Sequence, residues 1–356
     1  MKKSPPVSAR LRWVEVDLGA IAHNTGVVKS LLEPGVGLTA VVKSDAYGHG
    51  AAPVSKTVLR AGADALAVAY LDEALELWRA GVRAPLLVMG AVLPEQAPLA
   101  ARHGLSVMVD NLPLLEALEK SAPRGRPVSV QVKVNLGLCR WGLSLADLPA
   151  FLRRVGKSRG VRLDGIFSHP GYMVGRRQAK VEETLQDFLR VVRPLAGAVE
   201  THVSDSALLL DFPGYQLSRV RVGNLLYGIN PTARALPLKN PWQAFARIVH
   251  LETLVPGQSV GYGGEFTAAA PMGVATVPAG YSHGLTLEPA SRWIHVQNGQ
   301  NYWGWLRGIK CPFVGRVGMS HCLIDLSAAK TPKVGDPVQL PLRRTASSNW
   351  EKVYKH

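Results

Sequence analysis

Leu38-Thr39-Ala40-Val41-Val42-Lys43-Ser44-Asp45-Ala46-Tyr47-Gly48-His49-Gly50 is the stretch on which the reading of this chain turns. Its first half is apolar and reads as a buried strand. A lysine closes that strand, and a tyrosine, a histidine and two glycines follow at once. Lysine is costly to bury. Desolvation lowers its pKa and makes it an amine fit for a Schiff base. Taken alone, such a lysine is equally a surface residue ahead of a loop.

The same texture continues on either side. Between Trp13 and Gly228, short β-branched or Leu-rich runs alternate with amphipathic stretches such as Asp72–Arg79. The runs are Leu38–Lys43, Ala65–Tyr70, Leu86–Met89, Leu105–Val109, Val128–Asn135, Leu163–His169, Glu200–Ser204 and Leu217–Gly223. Gly62, Gly81 and Gly104 fall just past the expected helices, where a terminating glycine belongs. This predicts a (β/α)8 barrel, with an open doubly wound sheet as the runner-up. In a barrel, functional groups gather at the C-terminal ends of the strands. Lys43, Asn135, His169, Ser206 and Arg221 all stand at or just past such ends.

After Pro231, prolines and glycines become frequent and amphipathic helices disappear. Ile248–Val255, Met272–Val277, Ile294–Val296, Val314–Val317 and Cys322–Leu326 read as strands, and Val334–Leu340 as a turn plus a final strand. The expected fold is therefore a TIM barrel over residues 12–240, followed by a mostly β domain formed by residues 241–356 with residues 1–11. Asn298–Gly304 reads as an exposed aromatic loop.

Bulk properties narrow the function. Hydrophobic residues make up 47% of the 356 and charged residues 19%, enough for a large core. The formal charge is +15, but the 41 Lys and Arg residues are scattered and form no long basic run. That pattern is a solvated surface able to attract anions, and it argues against nucleic-acid binding. Met1–Ser8 carries charge without an apolar core, so no secretory signal is read there, and no run approaches the ~18 apolar residues of a membrane span. Three cysteines without CxxC spacing suggest neither a disulfide framework nor a zinc site. A cytoplasmic protein is expected. The adjacent His321 and Cys322 would point to opposite faces of a strand, which leaves no metal site there.

Several further motifs stand in order. Trp13–Leu18 and Ala22-His23-Asn24 open the chain. Val132-Lys133-Val134-Asn135-Leu136-Gly137-Leu138-Cys139-Arg140-Trp141-Gly142 begins within the fifth run and extends past it. Val220-Arg221-Val222-Gly223 leads to Leu226-Tyr227-Gly228. Val260-Gly261-Tyr262-Gly263-Gly264-Glu265-Phe266 is a glycine turn that leaves a phenol projecting. Val277-Pro278-Ala279-Gly280-Tyr281-Ser282-His283-Gly284 and Val314-Gly315-Arg316-Val317-Gly318-Met319 come after it. With Lys43–Gly50, these resemble, in colinear order over roughly residues 12–340, the motifs of the alanine racemase family.

The resemblance implies pyridoxal 5'-phosphate (PLP) held covalently on Lys43. It implies an isomerase that interconverts L- and D-alanine through two bases, Lys43 and Tyr262, one on each face of Cα. His169 and Arg221 would supply a hydrogen-bond chain, with Arg221 facing the pyridine nitrogen. Tyr47, Ser206, Gly223 and Asn224 would hold the phosphate. Arg140, Met319 and Tyr281 would meet the substrate, and Lys133 matches a position often carbamylated to hold that arginine. The resemblance also implies a homodimer with shared active sites, Tyr262 and Met319 of one subunit completing the barrel site of the other.

The chain departs from the family pattern in four places. Asn135 stands where the family has Asp, Ser320 likewise follows Met319, and Pro170-Gly171-Tyr172 replaces the segment after the family histidine. The family's C-terminal segment, with a tyrosine that narrows the pocket, is missing from Thr345–His356, where Tyr354 resembles only the family's final tail. These departures predict a wider substrate range, unless the Asn298–Trp305 loop reseals the pocket. They also leave open another PLP enzyme on this fold, such as a D-amino-acid lyase, an aldolase or a decarboxylase, or a non-catalytic PLP-binding barrel.

Overall fold

The computed structural model describes residues 9–175, 178–195, 197–285, 302–347 and 349–356. The chain divides into two compact units, Leu18–Asn240 and Met1–Asp17 with Pro241–His356.

The first half of the chain runs β1 (Arg12–Asp17), α1 (Leu18–Lys29), β2 (Gly37–Val41), α2 (Lys43–Gly48), α3 (Ala51–Arg60), β3 (Ala65–Val68), α4 (Leu71–Arg79), β4 (Leu86–Val88) and α5 (Ala97–Arg102). It continues with β5 (Ser106–Val109), α6 (Leu112–Ser121), β6 (Val128–Val134), α7 (Leu148–Gly156), β7 (Val161–Ser168), α8 (Gln178–Val192), β8 (Glu200–His202), α9 (Ser206–Asp211) and β9 (Arg219–Val222). All eight expected barrel runs carry a strand. β2 to β9 form one parallel sheet in the order β8-β7-β6-β5-β4-β3-β2-β9.

An open sheet would leave β8 and β9 at two free edges. Here the Ser218 N–H donates to the Thr201 carbonyl (3.2 Å) and the Arg221 N–H to the Ser204 carbonyl (2.9 Å), which closes the ring. Every residue of β3 and β4 is buried, as strands covered on both faces must be.

Three of the helices end alike. Gly62, Gly81 and Gly104 take φ of +101°, +78° and +64°. The following N–H then turns back to the helix: Ala63 to the Val58 carbonyl (2.9 Å), Val82 to Leu77 (3.0 Å) and Leu105 to Ala100 (3.1 Å). Each of these three residues is buried. This six-to-one closure satisfies a terminal carbonyl and aims the chain into the next strand.

The second unit contains β10 (Trp242–Arg247), β11 (His250–Leu254), β12 (Ser259–Val260), β13 (Phe266–Thr267), β14 (Met272–Val277), β15 (Trp303–Leu306), β16 (Ile309–Val314), β17 (Cys322–Asp325), β18 (Pro337–Leu340) and β19 (Lys352–Lys355). Its main sheet has the order β11-β14-β17-β16-β15-β18-β10-β1-β19.

Several expectations are corrected here. Arg12–Asp17, expected at the head of the barrel, is β1 of this second sheet. Val14 and Val16 are fully buried and sit opposite Ala244 and Trp242 of β10. Val314–Val317 is a strand only at its first residue, because Gly315 turns the chain at φ +65°. Trp303 and Gly304 belong to β15 and not to an exposed loop. Gly304 is packed so closely that a Cβ there would lie 2.7 Å from Val338 Cγ1. The tail forms β19, parallel to β1, with Tyr354 opposite Val16. Met1–Ser8, Arg176-Arg177, Ile294–Val296 and Asn298–Asn301 lie outside the described residues.

Gly81→Ala tests the helix closure. Nothing stands within 4 Å of the added methyl, so only the left-handed φ is strained. We expect a loss of about 1–2 kcal/mol in urea unfolding; unchanged stability would mean that the backbone relaxes out of this geometry.

Candidate active site

The turn after β2 sets the site. Ser44, Asp45, Ala46 and Tyr47 all take left-handed φ between 53° and 56°. Such a run is unfavourable for side-chain-bearing residues, by roughly 1–2 kcal/mol each. Surrounding bonds hold it. The Ala46 N–H donates to the Val42 carbonyl (2.9 Å) and the Gly50 N–H to the Asp45 carbonyl (2.9 Å). Asp45 Oδ1 accepts from the Ala51 N–H (2.7 Å), and Glu73 Oε1 accepts from the Ser44 N–H. Strain held this way is typical of functional sites.

The turn leaves Lys43 at the strand end and brings Tyr47 back against β9. Tyr47 stacks on Tyr227 at 4.6 Å, and Tyr227 is fixed by donating to the Val41 carbonyl (2.9 Å). The Tyr47 hydroxyl lies so close to Gly223 that a Cβ there would sit 2.5 Å from it.

A cavity of about 820 Å³ opens at the C-terminal ends of the barrel strands. It brings together Lys43, Tyr47, Arg140, His169, Ser206, Arg221, Gly223 and Asn224, all named from sequence, with Lys133 and Asp205. Tyr262, Tyr281 and Met319 belong to the other unit, where each is exposed.

The cavity is rich in cations. Burial and the Arg140 charge hold the Lys43 amine below its ordinary range. Burial, with Arg221 and Arg140 adding repulsion, brings Lys133 down to about 7. Its ammonium rests over the Phe167 ring at 4.4 Å. Burial lowers even Arg221, to about 10. The Tyr47 phenol is pushed up to about 12 by burial and by Asp205.

Arg221 does not pair with His169 as expected. Its Nη1 donates to His202 Nδ1 (2.8 Å) and to the His202 carbonyl (3.0 Å), and its Nη2 donates to the Ser168 carbonyl. A guanidinium can only donate, so His202 Nδ1 accepts. His202 Nε2 then carries the proton and donates to Gln131 Oε1 (2.8 Å). Burial and the neighbouring Arg221 hold His202 well below its ordinary pKa, in keeping with that neutral tautomer. His169 instead meets Asp205 through Nδ1 (3.4 Å), and burial outweighs that carboxylate to keep its pKa low. Asp205 in turn caps α9, its Oδ1 accepting from the N–H groups of Ala207 (2.9 Å) and Leu208 (3.0 Å).

One side of the cavity suits a phosphate. The N–H groups of Gly223 and Asn224 and the buried Ser206 hydroxyl have no hydrogen-bond partner among the described residues. With the Tyr47 hydroxyl they form a cradle of donors, which a side chain at Gly223 would fill. This arrangement fits the phosphate of PLP.

Asn135 shapes the loop that carries Arg140. Its Oδ1 accepts from the Gly137 N–H (3.1 Å) and the Cys139 N–H (3.0 Å). An amide oxygen does this as well as a carboxylate, so Asn at this position keeps the loop and omits the charge. In the other unit, an ion pair between Glu265 and Arg316 fixes the turn that presents Tyr262. The N–H groups of Tyr281 and Ser282 donate to the carbonyls of Gly318 (3.1 Å) and Met319 (3.0 Å), joining those two turns. Ser320 is exposed in the second of them.

Two family profiles cover nearly the whole chain: "Alanine racemase, N-terminal domain" over residues 16–231 and "Alanine racemase, C-terminal domain" over residues 242–355. The chain belongs to the alanine racemase family. It is 33% identical over 340 residues to an alanine racemase of Desulfovibrio desulfuricans, covering 92% of this chain and 88% of that one. It is 36% identical over 320 residues to one from Streptococcus equi subsp. zooepidemicus, covering 88% and 84%. The crystal structure of alanine racemase from Bacillus anthracis with bound L-Ala-P superposes with a TM-score of 0.86 at 26% identity, covering 99% of this chain and 96% of that chain. The family is one of PLP-dependent isomerases on this barrel.

His202 was visible in the sequence as part of His202-Val203-Ser204, but nothing local singled it out. Its role follows from β6, β8 and β9 being neighbours in a closed sheet. Among the described residues, no three metal-ligating side chains converge, and no helix is long and apolar enough to cross a membrane.

The neutral His202 gives a pH signature. Below the ordinary histidine value of 6.5, the unfolded chain takes up a proton that the folded chain refuses. Stability therefore falls as pH drops below that point. Urea unfolding across this range should show the loss, and His202→Gln should flatten part of it. An unchanged slope in the variant would contradict a neutral buried His202.

Proposed function

We propose that this alanine racemase family member racemises alanine, serine and at least one larger amino acid, with PLP on Lys43. The observation that carries the reading is the convergence, in one cavity, of a lysine with a lowered pKa, an arginine held by neutral acceptors and a cradle of free donors. When bound, PLP accepts the negative charge left as the Cα proton departs.

The protein's own groups do the rest. The Lys43 amine, eased toward its neutral form by burial, exchanges a proton on one face of Cα. The Tyr262 phenol exchanges one on the other. Arg221 stays protonated at neutral pH even at about 10 and keeps a cation beside the pyridine nitrogen without surrendering its proton. His202 and the Ser168 carbonyl hold it in place. That choice favours racemisation over decarboxylation and elimination, which are served by an acidic partner at the ring. Ser206, Tyr47 and the Gly223 and Asn224 amides bind phosphate, Arg140 binds the substrate carboxylate, and His169 is held beside them by Asp205. Tyr281 and Met319 face the substrate. Lys133 near pKa 7 has enough neutral amine to take up carbon dioxide, and a carbamate there would supply the negative charge that Asn135 lacks.

The active unit is a homodimer in which Tyr262, Tyr281 and Met319 of one protomer serve the barrel cavity of its partner. The exposure of all three supports this reading. The free cysteines accord with a cytoplasmic setting.

Incubation with L-alanine in deuterium oxide should give D-alanine with deuterium at Cα. Borohydride should fix PLP on Lys43, and an adduct confined to another lysine would refute the assignment. Lys43→Ala should abolish turnover. Tyr262→Phe should retain the cofactor's visible absorbance and lose ~10²–10⁴-fold in rate. Mixing the two inactive variants should restore about a quarter of wild-type activity, since random pairing makes half the dimers mixed, each with one intact site. No recovery despite subunit exchange would exclude the shared site.

One methylene changes discrimination by only ~1–3 kcal/mol even in a tight pocket. Ser320, where the family pattern has Asp, therefore predicts measurable turnover of serine and one larger amino acid. Turnover of alanine alone would show the pocket to be sealed by other means.

A further inference from the structure

The C-terminal tail is tied firmly into the second unit. Trp350 is almost fully buried at 3% exposure. Its indole Nε1–H donates to the His283 carbonyl at 2.7 Å, and its own N–H donates to the Ser347 carbonyl (3.0 Å). Gly284, the next residue after His283, lies so close to the tail that a Cβ would sit 2.4 Å from the Ala346 carbonyl oxygen. One residue beyond Trp350, the Glu351 carbonyl accepts from the Val14 N–H (2.8 Å), and β19 follows along β1. The tail is thus anchored to the sheet on one side of Trp350 and braces the Tyr281–Gly284 turn through it.

The opposite side of that turn rests on the Met319 turn. Besides the two backbone bonds already described, the Ser282 hydroxyl donates to the Met319 carbonyl (2.6 Å). Tyr281 and Met319 project from this double turn into the open, at 51% and 60% exposure. Their side chains have little packing of their own to fix them. What fixes the double turn is the Met319 side of the contact and, behind it, the indole.

We propose that Trp350 is a positioning residue for substrate binding: by holding the His283 carbonyl, it sets the placement of Tyr281 and Met319. This rests on the reading above, in which Tyr281 and Met319 face the substrate. The indole is suited to the task. It is rigid, it fills the space behind the turn, and its single donor reaches one carbonyl. An exposed turn pinned by one buried donor keeps its geometry while leaving the projecting side chains free of the tail.

The test uses the PLP-loaded enzyme. Trp350→Phe keeps the ring and removes the donor, and Trp350→Ala removes both. Amide hydrogen exchange over Tyr281–Leu285 reads the brace directly, since all five N–H groups are bonded within this double turn. Alanine KM and kcat read its consequence. We expect faster exchange in Trp350→Phe, a KM raised roughly three- to tenfold, the range one lost hydrogen bond supplies, and a kcat near wild type. Trp350→Ala should exceed it in both exchange and KM. A lowered unfolding midpoint with KM unchanged would make Trp350 merely structural and overturn the proposal. So would unchanged exchange in both variants of an active enzyme. A wild-type enzyme that racemises no amino acid would sink the functional reading itself, and the positioning role with it, even where exchange rises.

Discussion

A buried cation without a bonded carboxylate governs the barrel site. Arg221 is 4% exposed, and the acceptors that hold it are all neutral: the His202 ring and carbonyl and the Ser168 carbonyl. A buried charge normally takes an ion-pair partner. Here the nearest carboxylate that acts on it, Asp205, works at a distance and spends its hydrogen bonds on the start of α9. The positive charge is therefore left largely unbalanced. Its field reaches Lys133 and His169, and Arg140 adds to it at both of these and at Lys43. Burial is the first cause of the lowered pKa values at Lys43, Lys133 and His169, and a cavity whose cations outnumber its anions adds to it. The missing negative charge is what a phosphate and a substrate carboxylate bring.

The left-handed turn at Ser44–Tyr47 is the geometric counterpart of that electrostatic design. A right-handed exit from β2 would carry the residues after Lys43 outward along an ordinary βα connection. The left-handed path keeps Lys43 at the strand end and folds Tyr47 back onto Tyr227 and Gly223. Lys43 and the Tyr47 hydroxyl are thereby set by the same few backbone torsions. The strain is offset by bonds from outside the turn, notably from Glu73 on α4. One residue, Gly223, then has to be without a side chain for the phenol to fit.

Features of the barrel encoded locally were legible in the sequence. Apolar runs closing on polar residues located all eight strands, and glycines after amphipathic stretches located three helix ends. The strand-end rule put Lys43, His169, Ser206 and Arg221 at one mouth. What stayed hidden depends on pairing between distant segments. His202 gains its meaning only when β8 lies beside β9 and within reach of Gln131 on β6. Arg12–Asp17 looks like a barrel strand until Trp242–Arg247 and Lys352–Lys355 are seen on either side of it. The tail looked like a truncation because Trp350 has no periodic context. Its partner, the His283 carbonyl, is a backbone atom that no residue pattern announces.

The two units differ in character. The barrel unit concentrates cations in a desolvated cavity, and the second unit presents Tyr262 and Tyr281 on turns stiffened by glycine geometry, an ion pair and a buried indole. Burial is the larger cause of the lowered Lys43 pKa and the Arg140 charge the second, so the cation surplus is the part of that shift that one added carboxylate can reverse. On this argument, placing a carboxylate at the start of the loop that carries Arg140, by Asn135→Asp, would ease Lys43 back toward its ordinary range. The pH at which the Lys43 amine becomes reactive toward an acylating reagent would rise in the variant, whereas an unchanged value would show that the Arg140 charge does not hold that amine down.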